Sequence, residues 1–345
     1  MKLSKTQIID GIGHEEQLVR DQAVRYFAGA YAADTAPLLR AIEIIERYGW
    51  QDAFAFSHTC ARLAHSEPTI RWTIEQLEES TGSHEDRDFW LGRSLVGAPL
   101  ELLLPHRDRI DAIKHLAQEH KEHLAERVDL AELKPDDLWD RLEEFCQREK
   151  DKFYVNDVDL PHAFRLVEAL GRHDSAADRA LDILVDESEP AVGDPRIWME
   201  ALAVRLAGEL RLKQAIAMLG RRFQQDVDWL REECTGALAK IGTEEAVDAL
   251  CEQIPDSEWH VRLFAAGALE KQRGESVVPR CLELLDSATD GDIRNNLLRA
   301  ALANFDTEAV HLTEPGSCVQ CAHQAWGRSL RHFRGSVREE LRCLL

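Results

Sequence analysis

No stretch of this sequence approaches the roughly 18 apolar residues in a row that a membrane-spanning helix needs. The basic start, Met1-Lys2-Leu3-Ser4-Lys5, runs into Gln7, Asp10 and Gly11 without the apolar run of a secretory leader, so a cytoplasmic location is expected. Cysteine is also scarce, with 8 in 345 residues, which excludes a disulfide scaffold. Six of them, Cys60, Cys146, Cys234, Cys251, Cys281 and Cys343, stand singly within helical patterns and read as reduced, buried, small apolar residues. There is no G-x-S-x-G elbow and no P-loop, and Gly11, Gly13, Gly171, Gly242 and Gly274 are scattered at expected helix ends. Catalysis has no visible centre, and a non-enzymatic role is the expectation. Positive charge is short as well: 42 lysines and arginines face 63 acids, for a net charge of -21. Such a field opposes phosphate backbones and anionic headgroups, so nucleic acid and membranes are disfavoured as partners.

What the chain does contain is a repeated helical pattern. Leu230, Cys234, Ala237 and Leu238 fall at i, i+4, i+7 and i+8, and Val261, Ala265, Ala268 and Leu269 repeat the set 31 residues later. Tryptophan leads each set, at Trp229 and Trp259, and arginine accompanies each, at Arg231 and Arg262. A second apolar helix follows each, opening at Val247 and Val278. Ile197 and Ile293 extend the series, so the leads at 197, 230, 261 and 293 are spaced by 33, 31 and 32 residues. Self-similarity at this period predicts stacked helical hairpins. The N-terminal part carries a fainter version. Val19, Ala23, Tyr26 and Phe27 with Arg20 form one first helix, Leu38, Leu39, Ile42 and Ile45 its partner, and a second hairpin runs from Trp50 past Pro68 to Leu77. Ser83-His84-Glu85-Asp86 reads as a capping box ahead of a further helix.

The rhythm lapses between residues 99 and 159. Ile110, Ile113, Ala117, Leu124 and Val128 predict one helix of about 20 residues. On it His115, Glu119 and His123 would share a face that could hold a metal, although a solvated face is the reading preferred. Lys134-Pro135 starts a new helix, and Asp194-Pro195 another, with Asp194 as its cap.

The segments Trp259-His260-Val261-Arg262-Leu263-Phe264-Ala265-Ala266-Gly267-Ala268-Leu269 and Trp229 through Gly242 resemble the HEAT-repeat family, in the short bacterial form also found in phycobilisome lyases. The resemblance covers roughly 190 to 310, and 14 to 80 more weakly. It implies an all-α fold, a right-handed α-solenoid of helical hairpins with an irregular middle and a C-terminal capping helix. It also implies that Arg20, Arg231, Arg262 and Arg294 are inter-repeat hydrogen-bond donors. Within the family's wider reach, His14-Glu15 and His84-Glu85 are similar to the iron-holding His-Glu pairs of deoxyhypusine hydroxylase, but two pairs 70 residues apart do not make that site.

The tail departs from the array. Cys318-Val319-Gln320-Cys321 with His323, His332 and Cys343 is a candidate zinc site, weighed against reduced cysteines in a closing turn. Leu330, Phe333, Val337, Leu341 and Leu344 form an apolar stripe flanked by Arg328, Arg331, Arg334, Arg338 and Arg342, a candidate partner-binding or capping helix. The organisation expected is therefore 1–98 and 160–312 as repeats, 99–159 as an irregular segment or insert, and 313–345 as the tail. Stacked hairpins expose long side-chain-rich surfaces that hold proteins or peptides, so the expected function is a protein-protein interaction scaffold with a basic partner and no cofactor beyond that zinc. Two alternatives are kept: a bilin-lyase-like or other modifying enzyme, which only the resemblance implies, and nucleic-acid binding through a local arginine patch such as Arg211, Lys213, Arg221 and Arg222.

Overall fold

Helix starts in this chain are set by local chemistry that the sequence makes plain. Ser4 accepts a hydrogen bond from the Gln7 amide at 3.3 Å while the Gln7 side chain accepts one from the Ser4 amide at 2.8 Å, which satisfies two of the orphan donors of the Lys5–Gly11 helix. Pro68 and Pro135 sit in first turns, where a missing N–H costs nothing. Thr243 caps the Glu244–Cys251 helix. The computed structural model describes residues 3–305 apart from 61, 83, 84, 153, 187 and 189, with the backbone alone at 51–60 and 85. Every regular element among the described residues is a helix, so the fold is all-α, as expected. The C-terminal capping helix lies outside the described residues.

Among the described residues the chain forms two compact units, one of residues 3–125 with 301–305 and one of residues 126–300. In the first, Gln17–Gly29 packs against the helical stretch Ala36–Cys60, burying Val19, Ala23, Val24 and Phe27. That stretch is two helices meeting at Gly49, whose φ of 81° and ψ of 166° lie where only glycine sits without strain. The next hairpin pairs Glu67–Glu78 with Glu85–Val96 around Ile70, Ile74, Leu77, Leu91 and Leu95. The expected cap at Ser83 and His84 lies outside the described residues. Phe305, 1% exposed, completes this unit: its carbonyl accepts from the Leu3 amide at 3.2 Å and its ring lies 5.7 Å from that of Tyr26.

The expected long helix over 110–128 is corrected. Arg107–Ala112 ends at Ile113, which is extended (ψ 116°), and a turn precedes Gln118–Ala131. Across the break Ile110, Ile113, Leu116 and Leu124 still share one buried cluster. His115 falls in the turn. It therefore does not share a helical face with Glu119 and His123.

The second unit stacks hairpins. Pro135–Glu149 and Leu160–Leu170 bury Leu138, Trp139, Leu142 and Phe145 against Leu166, Leu170, Leu202 and Leu206. Arg196–Glu209 lies at the centre: ten of its residues are buried, on every side, as a helix enclosed by neighbours must be. Asp228–Ile241, Glu244–Cys251, Trp259–Leu269 and Val277–Ser287 follow, then Gly291–Ala303, whose last residues belong to the first unit. All twelve residues of the three apolar sets led by Leu230, Val261 and Ile293 are 3% exposed or less. Pro195, not Asp194, precedes the first residue of Arg196–Glu209, although the Asp194 carboxylate does accept from the Arg196 amide at 2.9 Å.

Candidate interaction surface

Of the four repeat arginines, Arg231 and Arg20 are buried, Arg294 stays exposed while reaching main-chain carbonyls, and Arg262 leaves its buried Nε without a hydrogen-bond partner among the described residues. Arg231, fully buried, donates from Nε to the Phe223 carbonyl at 3.0 Å, at the end of the preceding hairpin. Arg294 donates to the carbonyls of Leu285 and Ala288 at 2.6 and 2.9 Å, again at the end of the helix before its own. Arg20 does the same locally, to His14 and Glu15 at 2.9 and 2.8 Å. Helix C-termini leave carbonyls without intrahelical partners, and a guanidinium with five donors satisfies several at once. These residues are scaffolding. The His14-Glu15 pair is likewise engaged in a helix start, with His14 Nδ1 accepting from the Glu16 amide at 3.0 Å; His84 lies outside the described residues.

The same period appears in polar links between neighbouring hairpins. Lys240 reaches Glu209 at 2.5 Å across 31 residues, Arg280 reaches Asp248 at 2.9 Å across 32, and Trp259 Nε1 donates to Asp290 at 3.0 Å across 31. Glu244 accepts from the Glu275 amide at 3.2 Å and from the Ser276 hydroxyl. Contact with amides that fold back on it also holds the Asp290 carboxyl below the usual carboxylate range, the Ile293 amide contributing most.

Between these links the second unit exposes mostly carboxylates. Residues 126–300 carry 38 acids against 23 bases, whereas residues 1–125 carry 20 against 14. The bases are further consumed from within: Arg222, 1% exposed, lies 3.8 Å from the buried Glu200 and donates to the Asp186 carbonyl at 2.8 Å. Of the sequence cluster of Arg211, Lys213, Arg221 and Arg222, Arg222 is thus withdrawn, while Arg211, Lys213 and Arg221 stay exposed. Burial pushes the Glu200 and Glu233 carboxyls up, opposed by Arg222 and Arg205 respectively.

Each unit holds a concavity among the described residues. In the second unit a cavity of about 670 Å³ opens between Pro135–Glu149 and the start of Arg196–Glu209, lined by Cys146, Met199 and Pro195 with Glu143, Glu144, Gln147, Arg148 and Arg196. Burial pushes the Cys146 thiol up to about 12, so it stays protonated and behaves as an apolar wall. Sequence reading passed over this cavity because its walls come from residues about 50 apart. In the first unit a smaller cavity of about 460 Å³ is lined by Gly82, Asp86, Asp88, Phe89, His115 and Ala117. Asp88 there is 5% exposed and held by the Ser80 hydroxyl and Arg87.

Cys146, Cys234, Cys251 and Cys281 are free and buried, as read from sequence, and burial raises the thiol pKa of each. Among the described residues no three His, Cys, Asp or Glu side chains converge as metal ligands, and no helix is long and apolar enough to cross a membrane. The candidate zinc ligands Cys318, Cys321, His323, His332 and Cys343, and the arginines Arg328, Arg331, Arg334, Arg338 and Arg342, lie outside the described residues.

Residues 228–303 match the HEAT-repeat family. No curated protein matches the chain. Two solved structures of engineered proteins are similar to it: one is 13% identical over 95% of this chain and 99% of its own, with a TM-score of 0.30. The other is 14% identical over 88% and 98%, with a TM-score of 0.23. Likeness at these scores carries no argument.

Proposed function

We propose, from the HEAT repeats at 228–303, that this chain is a scaffold that holds a basic protein or peptide along the acidic surface of residues 126–300. The observation that carries this reading is the disposition of charge. Arg231 and Arg222 are buried with their guanidinium groups on main-chain carbonyls, while Asp178 and Asp182 on Ala176–Val185, Glu245 on Glu244–Cys251 and Glu283 on Val277–Ser287 remain exposed. A surface of one sign raises the local concentration of an opposite-sign partner and speeds encounter, an effect that salt suppresses.

Affinity capture of full-length protein, eluted in steps of salt, tests the reading. Partners of high lysine and arginine content should elute as the Debye length shrinks from about 10 Å at 0.1 M salt. A variant with Asp178, Asp182, Glu245 and Glu283 all changed to lysine should lose them. Retention of the same partners by that variant, with unchanged salt dependence, would overturn the reading.

A further inference from the structure

The cavity between Pro135–Glu149 and Arg196–Glu209 has features that the general acidity of the surface does not explain. Its charged rim is almost fully paired in place. Glu143 is bound by Arg179, Arg148 lies 2.7 Å from Glu149, and Arg196 lies 2.8 Å from Asp194 and 3.1 Å from Asp186. Glu144 alone on the rim makes no ion pair among the described residues. The interior is thioether, thiol and proline. An apolar interior rimmed by a few polar groups is the usual make-up of a binding pocket.

We infer that this cavity seats a large apolar side chain of a partner peptide, with a neighbouring lysine or arginine of that peptide on Glu144. The inference rests on the basic-partner reading above and deepens it. The volume of about 670 Å³ is within the range of ligand pockets and holds one or two large side chains. The single unpaired rim charge fixes the sign of what accompanies them.

The chain has three methionines, Met1, Met199 and Met218, so carbon-labelled methionine methyls give a three-signal NMR spectrum of the full-length protein, with Met199 assigned by Met199→Leu. The probe is a fluorescein-labelled peptide Lys-Ala-Phe-Leu-Lys-Gly, compared with one in which Phe and Leu are serine and one in which both lysines are glutamine. The first should bind with salt-dependent anisotropy and shift the Met199 methyl while leaving Met218 in place. Serine at the apolar positions should weaken binding about tenfold or more, the worth of one buried apolar side chain. Glutamine for lysine, or Glu144→Lys in the protein, should weaken it about three- to fivefold. Gln147→Trp, at an exposed rim position, should close the mouth and abolish the methyl shift without touching the core. Peptide binding that leaves Met199 unmoved and is indifferent to Gln147→Trp overturns the cavity while leaving the basic-partner reading intact. No peptide binding, with basic partners still recovered by affinity capture, does the same. A second Met199 signal already present in purified protein, removed by denaturation and refolding, would assign the cavity to a small molecule and overturn the peptide.

Discussion

The helices from Arg196 to Ala303 and those from Glu67 to Val96 satisfy their polar groups in different ways. In the former, polar links recur at the repeat spacing: Arg231, buried, and Arg294, exposed, each bind carbonyls at the end of the preceding hairpin, and the surface pair of Arg280 with Asp248 spans neighbouring hairpins. In the latter the polar groups form a single non-repeating knot. His65, 5% exposed, bridges the Thr69 hydroxyl at 3.2 Å and the Ser94 hydroxyl at 3.0 Å, and His120, 4% exposed, lies against Phe89. An array can reuse one interaction at every interface, because every interface has the same geometry. A hairpin pair without that regularity must satisfy its buried groups one at a time.

The sharpest break of this contrast is Arg231→Ala. It leaves the Phe223 carbonyl without its donor and opens a void at a fully buried position, and should cost about 3–4 kcal/mol, read as a lowered denaturant midpoint. Acid should instead attack the knot. Burial pushes His65 down to about 4 from an ordinary 6.5. Between those values the unfolded chain binds a proton that the folded chain does not, so stability falls as pH is lowered through that window, by up to about 3 kcal/mol. Burial also lowers His120, in the same direction. Thermal midpoints at pH 7 and pH 5 should therefore differ less in His65→Gln than in the parent protein, even though that variant is less stable at pH 7.

Two glycines sharpen the picture within the array. A methyl on Gly208 would stand 2.6 Å from the Ala237 Cα, so the two helices must part, and Gly208→Ala should destabilise by about 1–3 kcal/mol. A methyl on Gly236 meets nothing within 4 Å, so Gly236→Ala should stabilise by about 0.5–1 kcal/mol through helix propensity alone. A matched pair of melting curves distinguishes them by sign. Smallest of all is Arg280→Ala. Its pair with Asp248 is 45% and 47% exposed, and its loss should shift stability by less than about 0.5 kcal/mol. A large effect there would mean that the ladder of surface links, rather than the inward arginines, holds the hairpins together.

Much of the fold was legible because helical hairpins are written locally. Pro68 and Pro135 mark helix starts, and the apolar sets led by Leu230, Val261 and Ile293 are all buried as their spacing requires. The inter-repeat donor role of Arg231 and Arg294 was legible through the resemblance, whereas Arg20 bonds locally and the buried Nε of Arg262 has no partner among the described residues. The region around residues 110–124 was not. Its apolar spacing fits one helix as well as two, and only the structure shows the turn that carries His115 away from Glu119 and His123. The candidate cavity was illegible for a related reason, since Cys146 and Met199 are far apart in the chain and no local pattern links them.

By itself, then, the sequence determined the all-α class, the hairpin period and the acid excess, because each depends on neighbours within a turn or two, or on composition alone. Tertiary structure decided which charges meet solvent. It buried Arg222 beside Glu200 and paired Glu143, Arg148 and Arg196 while leaving Glu144 unpaired, because burial and pairing depend on residues from other helices arriving at the same place.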